Sequence, residues 1–143
     1  MQYAPHELNR FLSAQSEDYQ VALEELKQGR KESHWIWYVF PQVAGLGLSS
    51  MSQTYAIQSK EEGLAYFQHP VLGQRLHECC EALLLHQDKS VTAIMGTPDD
   101  LKLKSSMTLF ASLSDSDSIY HQVLEIFYEG EQDQKTLDFL GQD

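Results

Sequence analysis

HPVLGQRLHECCEALLLH, residues 69–86, reads as one long helix. Pro70 suits a first helical turn, because its φ is already helical and the N–H it lacks would go unbonded there. Val71, Leu72, Leu76, Leu83 and Leu84, with Cys79 or Cys80 between them, return every three to four residues. That period lays an apolar stripe along one side of a helix. The same period recurs on both sides of this stretch and decides the fold class.

Toward the N-terminus, residues 60–68 form a helix that His69-Pro70 breaks. Residues 16–28 form another. Ser16, Glu17 and Asp18 supply its start signals, Tyr19, Ala22, Leu23 and Leu26 its stripe, and Gly29 its stop. Residues 5–13 are a short first helix, with Pro5 in its first turn and Leu8, Phe11 and Leu12 inward. Toward the C-terminus, residues 90–95 are a short helix closed by Gly96. Thr97-Pro98-Asp99-Asp100 then combines a capping hydroxyl, a first-turn proline and two acids at the positive helix end. The helix it starts carries Leu101, Leu103, Met107, Phe110 and Leu113 to about residue 114. After a polar connection at 115–118, residues 119–128 place Val123, Leu124 and Phe127 inward and stop at Gly130. Residues 133–140 are a last short helix.

The exception is HWIWYVFPQVAGLGLSS, residues 34–50. Aromatic and β-branched residues fill its first half, Pro41 ends that half, and Gly45 and Gly47 imply an irregular loop. It is expected to be a short extended segment, around residues 35–40, leading into a loop. The expectation is therefore an all-α protein: a single compact domain over residues 1–143, of about six to eight helices with one short extended segment. No repeat and no long linker divides the chain.

Composition bounds what such a domain can do. At 143 residues, 42% hydrophobic and 22% charged, the chain can bury one core. Its 21 acidic and 10 basic residues leave a net charge of -11. An acidic surface repels phosphate backbones, so polyanionic nucleic acid is not an expected partner. A local basic pocket for one phosphate stays open, since distant charge is screened by salt. The adjacent Cys79 and Cys80 rarely suit a disulfide and lack metal-ligand spacing. They read as reduced thiols. With no membrane-spanning apolar run and no hydrophobic signal core in MQYAPHELNR, a cytoplasmic protein without membrane association is expected. Oligomeric state is not legible.

Trp35 and Trp37 stand two apart. In extended chain they share a side and could sandwich a base or a sugar face; they could equally anchor the core. His34 and Gln42 flank them and could bond either a ligand or backbone. In KLKSS, residues 102–106, Lys104 and Ser105 follow a helix start, where amides also attract anions. The alternative is a solvated lysine above two serines at a helix contact. No glycine-rich phosphate loop accompanies them. Asp99, Asp100 and Asp133 have capping explanations, and Glu24 and Glu25 read as surface. His6, His34, His69, His77, His86 and His121 are scattered, so neither a metal nor a cofactor is expected.

RFLSAQ, YQVALEEL, HWIWYVFPQVAGLGLSS, HPVLGQRL, DDLKLKSSMTLF and GEQDQKTLDFL, in that order over residues 8–140, resemble the bacterial family catalogued as domain of unknown function 1810. Ile36 and Tyr38 stand where that family shows Met and Phe. Members are often labelled calpastatin, a disordered inhibitor that these patterned helices do not resemble. The family is also similar, distantly, to the all-helical YbiA-like or NADAR group. That likeness implies a nucleotide-sugar or ADP-ribose-like ligand and a metal-independent N-glycosidase or hydrolase. The alternative is a non-catalytic ligand- or protein-binding module. The candidate ligand-binding residues are His34, Trp35, Trp37, Gln42, Lys104 and Ser105, with no catalytic residue assigned.

Overall fold

A computed structural model describes residues 7–141. Among them the chain forms nine helices: α1 (Asn9–Gln28), α2 (Ile36–Val39), α3 (Ser50–Thr54), α4 (Lys60–Gln68), α5 (Leu72–Leu84), α6 (Val91–Met95), α7 (Asp99–Ser112), α8 (Ile119–Tyr128) and α9 (Gln134–Leu140). No strand forms among the described residues. One isolated parallel bridge, Val43 to Ile57, ties the glycine loop to the approach of α4.

α7 is the central helix. Leu103, Met107, Leu109, Phe110 and Ala111 are buried, and so are Ser105, Ser106 and Thr108, so it is covered on nearly every side. It packs against α8, α9 and α6, while α1 lies against α5. An aromatic chain joins the layers. Phe11 of α1 meets Tyr66 of α4 edge-on at 5.0 Å, Tyr66 meets Phe110 at 5.5 Å, and Phe110 meets Tyr120 at 5.9 Å. One continuous core from Phe11 to Leu124 results.

Several helix starts are capped by a side chain. Ser59, Ser90, Ser118 and Asp133 each accept a bond from the third amide of the helix they start. Gly29 closes α1 at φ 80°. Several expectations differ. α5 runs Leu72–Leu84, so Pro70 precedes the helix instead of sitting in its first turn. Residues 9–28 form one helix rather than two, because the Ser16 hydroxyl donates back to the Ser13 carbonyl at 2.8 Å instead of capping a new start. The part of the first expected helix around Pro5 and His6 lies outside the described residues. α7 starts one residue later than expected, at Asp99, because the Thr97 hydroxyl donates to the Asp100 carboxylate at 3.1 Å rather than capping an amide. The short α3 adds an element that the glycine-rich text did not announce.

One further difference matters most. Residues 36–39, expected extended, are the helical turn α2. No neighbouring strand is available there, and a buried extended chain would leave its amides unpaired. The turn pairs them: Val39 N donates to Trp35 O and Phe40 N to Ile36 O. Side chains of α1 then fix it. Gln15 donates to the Tyr38 carbonyl at 2.6 Å, and the Tyr38 hydroxyl bonds Asp18. Glu25, read as surface, instead accepts from the amides of Glu32 and Ser33, the Ser33 hydroxyl and the Trp35 indole at 2.6–3.0 Å.

Candidate functional site

A cleft of about 510 Å³ opens where the loop of residues 42–47, the first turns of α7 and the start of α9 meet. Gln42, Leu46, Gly47 and Ser52 form one wall. Leu101, Lys102, Lys104 and Ser105 of α7 form the second, and Asp133, Gln134 and Lys135 the third. Four other concavities measure about 310–400 Å³, and Lys27 is the one lysine or arginine along them. Three lysines on one cleft therefore stand out in a chain of net charge -11.

The loop wall is held by the backbone. Ile57 N donates to Gln42 O at 2.8 Å, and Ala44 N to Ile57 O at 2.9 Å. Gly47 has no room for a side chain, since a Cβ there would stand 2.5 Å from the Ser52 hydroxyl. The α9 wall is held by α7 itself. The Thr108 hydroxyl donates to Lys104 O and accepts from Asp133 N at 2.9 Å. One oxygen of the Asp133 carboxylate accepts from the amide and the hydroxyl of Thr136.

The lysines differ in how firmly they are neutralised. Asp99 pairs with Lys31 at 2.7 Å and only loosely with Lys102, at 3.7 Å. Lys102 rests over the Trp37 ring, 5.1 Å from its centroid. Lys104 pairs with Glu131, whose side chain is 73% exposed against 17% for the lysine. Lys135 makes no ion pair among the described residues. Of the two readings of this helix start, an anion held by its amides finds little room, because three of the first four amides are already bonded. Asp100 N and Lys102 N bond the carbonyls of Gly96 and Pro98, and Leu101 N bonds Pro98 O and the Asp100 carboxylate.

Of the residues singled out from sequence, Gln42, Lys104 and Ser105 meet in this cleft. Trp35 does not: it is 1% exposed, packs against Phe40, and spends its indole N–H on Glu25. Trp37 is half-buried and touches the cleft through Lys102. Helical geometry turns the two indoles apart, so they make no shared shelf. His34 is exposed and outside the cleft. Trp37 Nε1 and Ser106 Oγ are buried without a partner among the described residues. Such groups cost roughly 1–3 kcal/mol each. Sequence reasoning missed Lys135 and the cleft-facing place of Asp133. The one available signal was that Lys135 is the only lysine or arginine after Lys104.

The environment of both cysteines disfavours the thiolate. Both are buried; burial, aided by the Glu78 charge, pushes the Cys79 thiol up to about 12, and burial raises Cys80 as well. Among the described residues no group of three His, Cys, Asp or Glu could hold a metal ion. No described helix is long and apolar enough to cross a membrane.

The family model described as "Protein of unknown function (DUF1810)" matches residues 5–140. The chain belongs to that family. The crystal structure of the conserved hypothetical protein Rv1873 from Mycobacterium tuberculosis superposes on this DUF1810 chain with a TM-score of 0.93, at 46% identity. The match covers 97% of this chain and 99% of that one. Among curated proteins, none matches the chain. Within the DUF1810 match, the cleft draws on three stretches far apart in sequence, around residues 42–52, 98–105 and 133–135.

Proposed function

We propose that the chain binds a small phosphorylated ligand of the nucleotide-sugar or ADP-ribose type in this cleft. The observation that carries the reading is the meeting of Lys102, Lys104 and Lys135 on one concave surface of an otherwise acidic protein. About 510 Å³ lies within the rough range of 300–1,000 Å³ occupied by small-molecule sites. The Gln42 amide and the Ser105 hydroxyl add neutral bonding groups. The choice of ligand class draws on the distant likeness to the YbiA-like or NADAR group, an analogy of fold.

Catalysis is an extension of the same reading. N-glycosidic hydrolysis needs a carboxylate near the anomeric carbon. Asp133 is the carboxylate on the cleft, anchored through one oxygen and positioned by Thr108. No metal or cofactor enters this scheme, and the cytoplasm is its setting. A non-catalytic interaction module is the rival. It is favoured by Leu48, 90% exposed, and Leu101, 60% exposed, beside the opening.

Calorimetric titration with ADP-ribose tests the reading. Binding should give heat and raise the melting temperature. Lys104→Gln should weaken it about tenfold, the loss of one charge-assisted hydrogen bond. No heat and no thermal shift with wild-type protein would count against a nucleotide-like ligand.

A further inference from the structure

We propose that Glu131 is the cleft's exchangeable counter-ion, standing on Lys104 until a dianionic phosphoryl group takes its place. This rests on reading the cleft as an anion site and names how that site is regulated and what charge it takes. Lys104 is rooted in the central helix, lines the cleft, and is 17% exposed at its side chain. Glu131 does not line the cleft. It reaches the lysine from the turn between α8 and α9, with its own side chain 73% exposed.

Two features make that pair the one that yields. An exposed carboxylate regains its hydration when released, so such pairs contribute little. A phosphoryl dianion offers Lys104 a stronger, charge-assisted partner and can reach a second lysine in the same cleft. The turn keeps its shape meanwhile, because Glu131 N donates to Tyr128 O at 2.9 Å and Asp133 N to the Thr108 hydroxyl. Only the side chain has to move. Lys102 supplies the second cation, because Asp99 already has Lys31 at 2.7 Å and holds Lys102 at 3.7 Å. With Glu131 on Lys104 the cleft has little charge to offer a monoanion beyond Lys102 and Lys135. With Glu131 displaced, Lys104 joins Lys102 and Lys135 as an unneutralised cation on the cleft lining.

The test is calorimetric titration of inorganic pyrophosphate into wild type, Glu131→Gln, Glu129→Gln, Lys104→Gln and the Lys104→Gln/Glu131→Gln double variant. Glu131→Gln should tighten binding about two- to five-fold, the worth of an exposed ion pair. Glu129→Gln removes an equal exposed charge two residues away and should change nothing. In the Lys104→Gln background the gain should vanish, which isolates the pairwise interaction. Wild-type binding that Glu131→Gln leaves unchanged or weakens overturns the counter-ion role and leaves the anion reading standing. An equal gain with or without Lys104 overturns it too. Pyrophosphate binding to no variant overturns both.

Discussion

At the scale of single residues, Glu25 ties α1 to the segment that follows it. Burial alone would raise its carboxyl, but bonds from the Ser33 hydroxyl, the amides of Glu32 and Ser33 and the Trp35 indole hold it down at about 2, against 4.5 for a free group. A carboxyl with a depressed folded-state value stabilises fully above the unfolded value. That contribution should drain away as pH falls from about 4.5 toward 2. Glu25→Gln should cost about 2 kcal/mol at neutral pH, the worth of charge-assisted bonds made neutral. It should also flatten the loss of stability across that acid window. Urea melts of both proteins from pH 6 to pH 2.5 give the comparison, and parallel curves would refute the role. Nothing in ALEELKQG marks Glu25 from Glu24. Their difference is a matter of which side of α1 meets residues 32–35. Arg10 and Glu62 make the same point: they join α1 to α4 through two N–O contacts of 3.1 and 3.2 Å across 52 residues.

At the scale of elements, the turn between α4 and α5 shows what local text can specify. His69-Pro70 reads as a break, and the His69 ring accepts the amides of Val71 and Leu72 at 3.1 and 3.2 Å, capping α5. Gly73 lets the two helices close: a Cβ there would stand 2.4 Å from the Phe67 carbonyl oxygen. Gly73→Ala should therefore cost about 2 kcal/mol, although alanine is the better helix former. Chemical denaturation would read this directly, and a gain in stability would refute the contact. α2 shows the opposite limit. Its aromatic and β-branched residues favour strand, yet a strand needs a neighbour, and the core offers α1 and α7 instead. Period and capping were enough for α4, α6, α8 and α9, whose bounds the text predicts to within a residue. They were not enough where tertiary contact chose the conformation.

At the scale of the whole molecule, charge sets the behaviour. A net charge of -11 repels itself in the compact state. Raising sodium chloride from 10 to about 150 mM shortens the Debye length from roughly 30 to 8 Å and should raise the melting temperature. A melting temperature that falls with salt would mean that pairs such as Lys31–Asp99 outweigh the repulsion. The distribution of charge is what gives the cleft its sign. Lys102, Lys104 and Lys135 lie within 34 positions of one another in sequence, but only the packing of α9 on α7 puts them on one surface.

The amino-acid sequence by itself determined the helical class, the bounds of several helices and the family, because each is written in spacings of three to four residues or in contiguous strings. It also pointed to Gln42, Lys104 and Ser105. The tertiary structure alone decided that Trp35 is sealed while Trp37 borders Lys102, that Glu25 is a clamp, and that Asp133 and Lys135 face the cleft. Those outcomes depend on which surfaces meet when helices distant in sequence pack, and no local period encodes that.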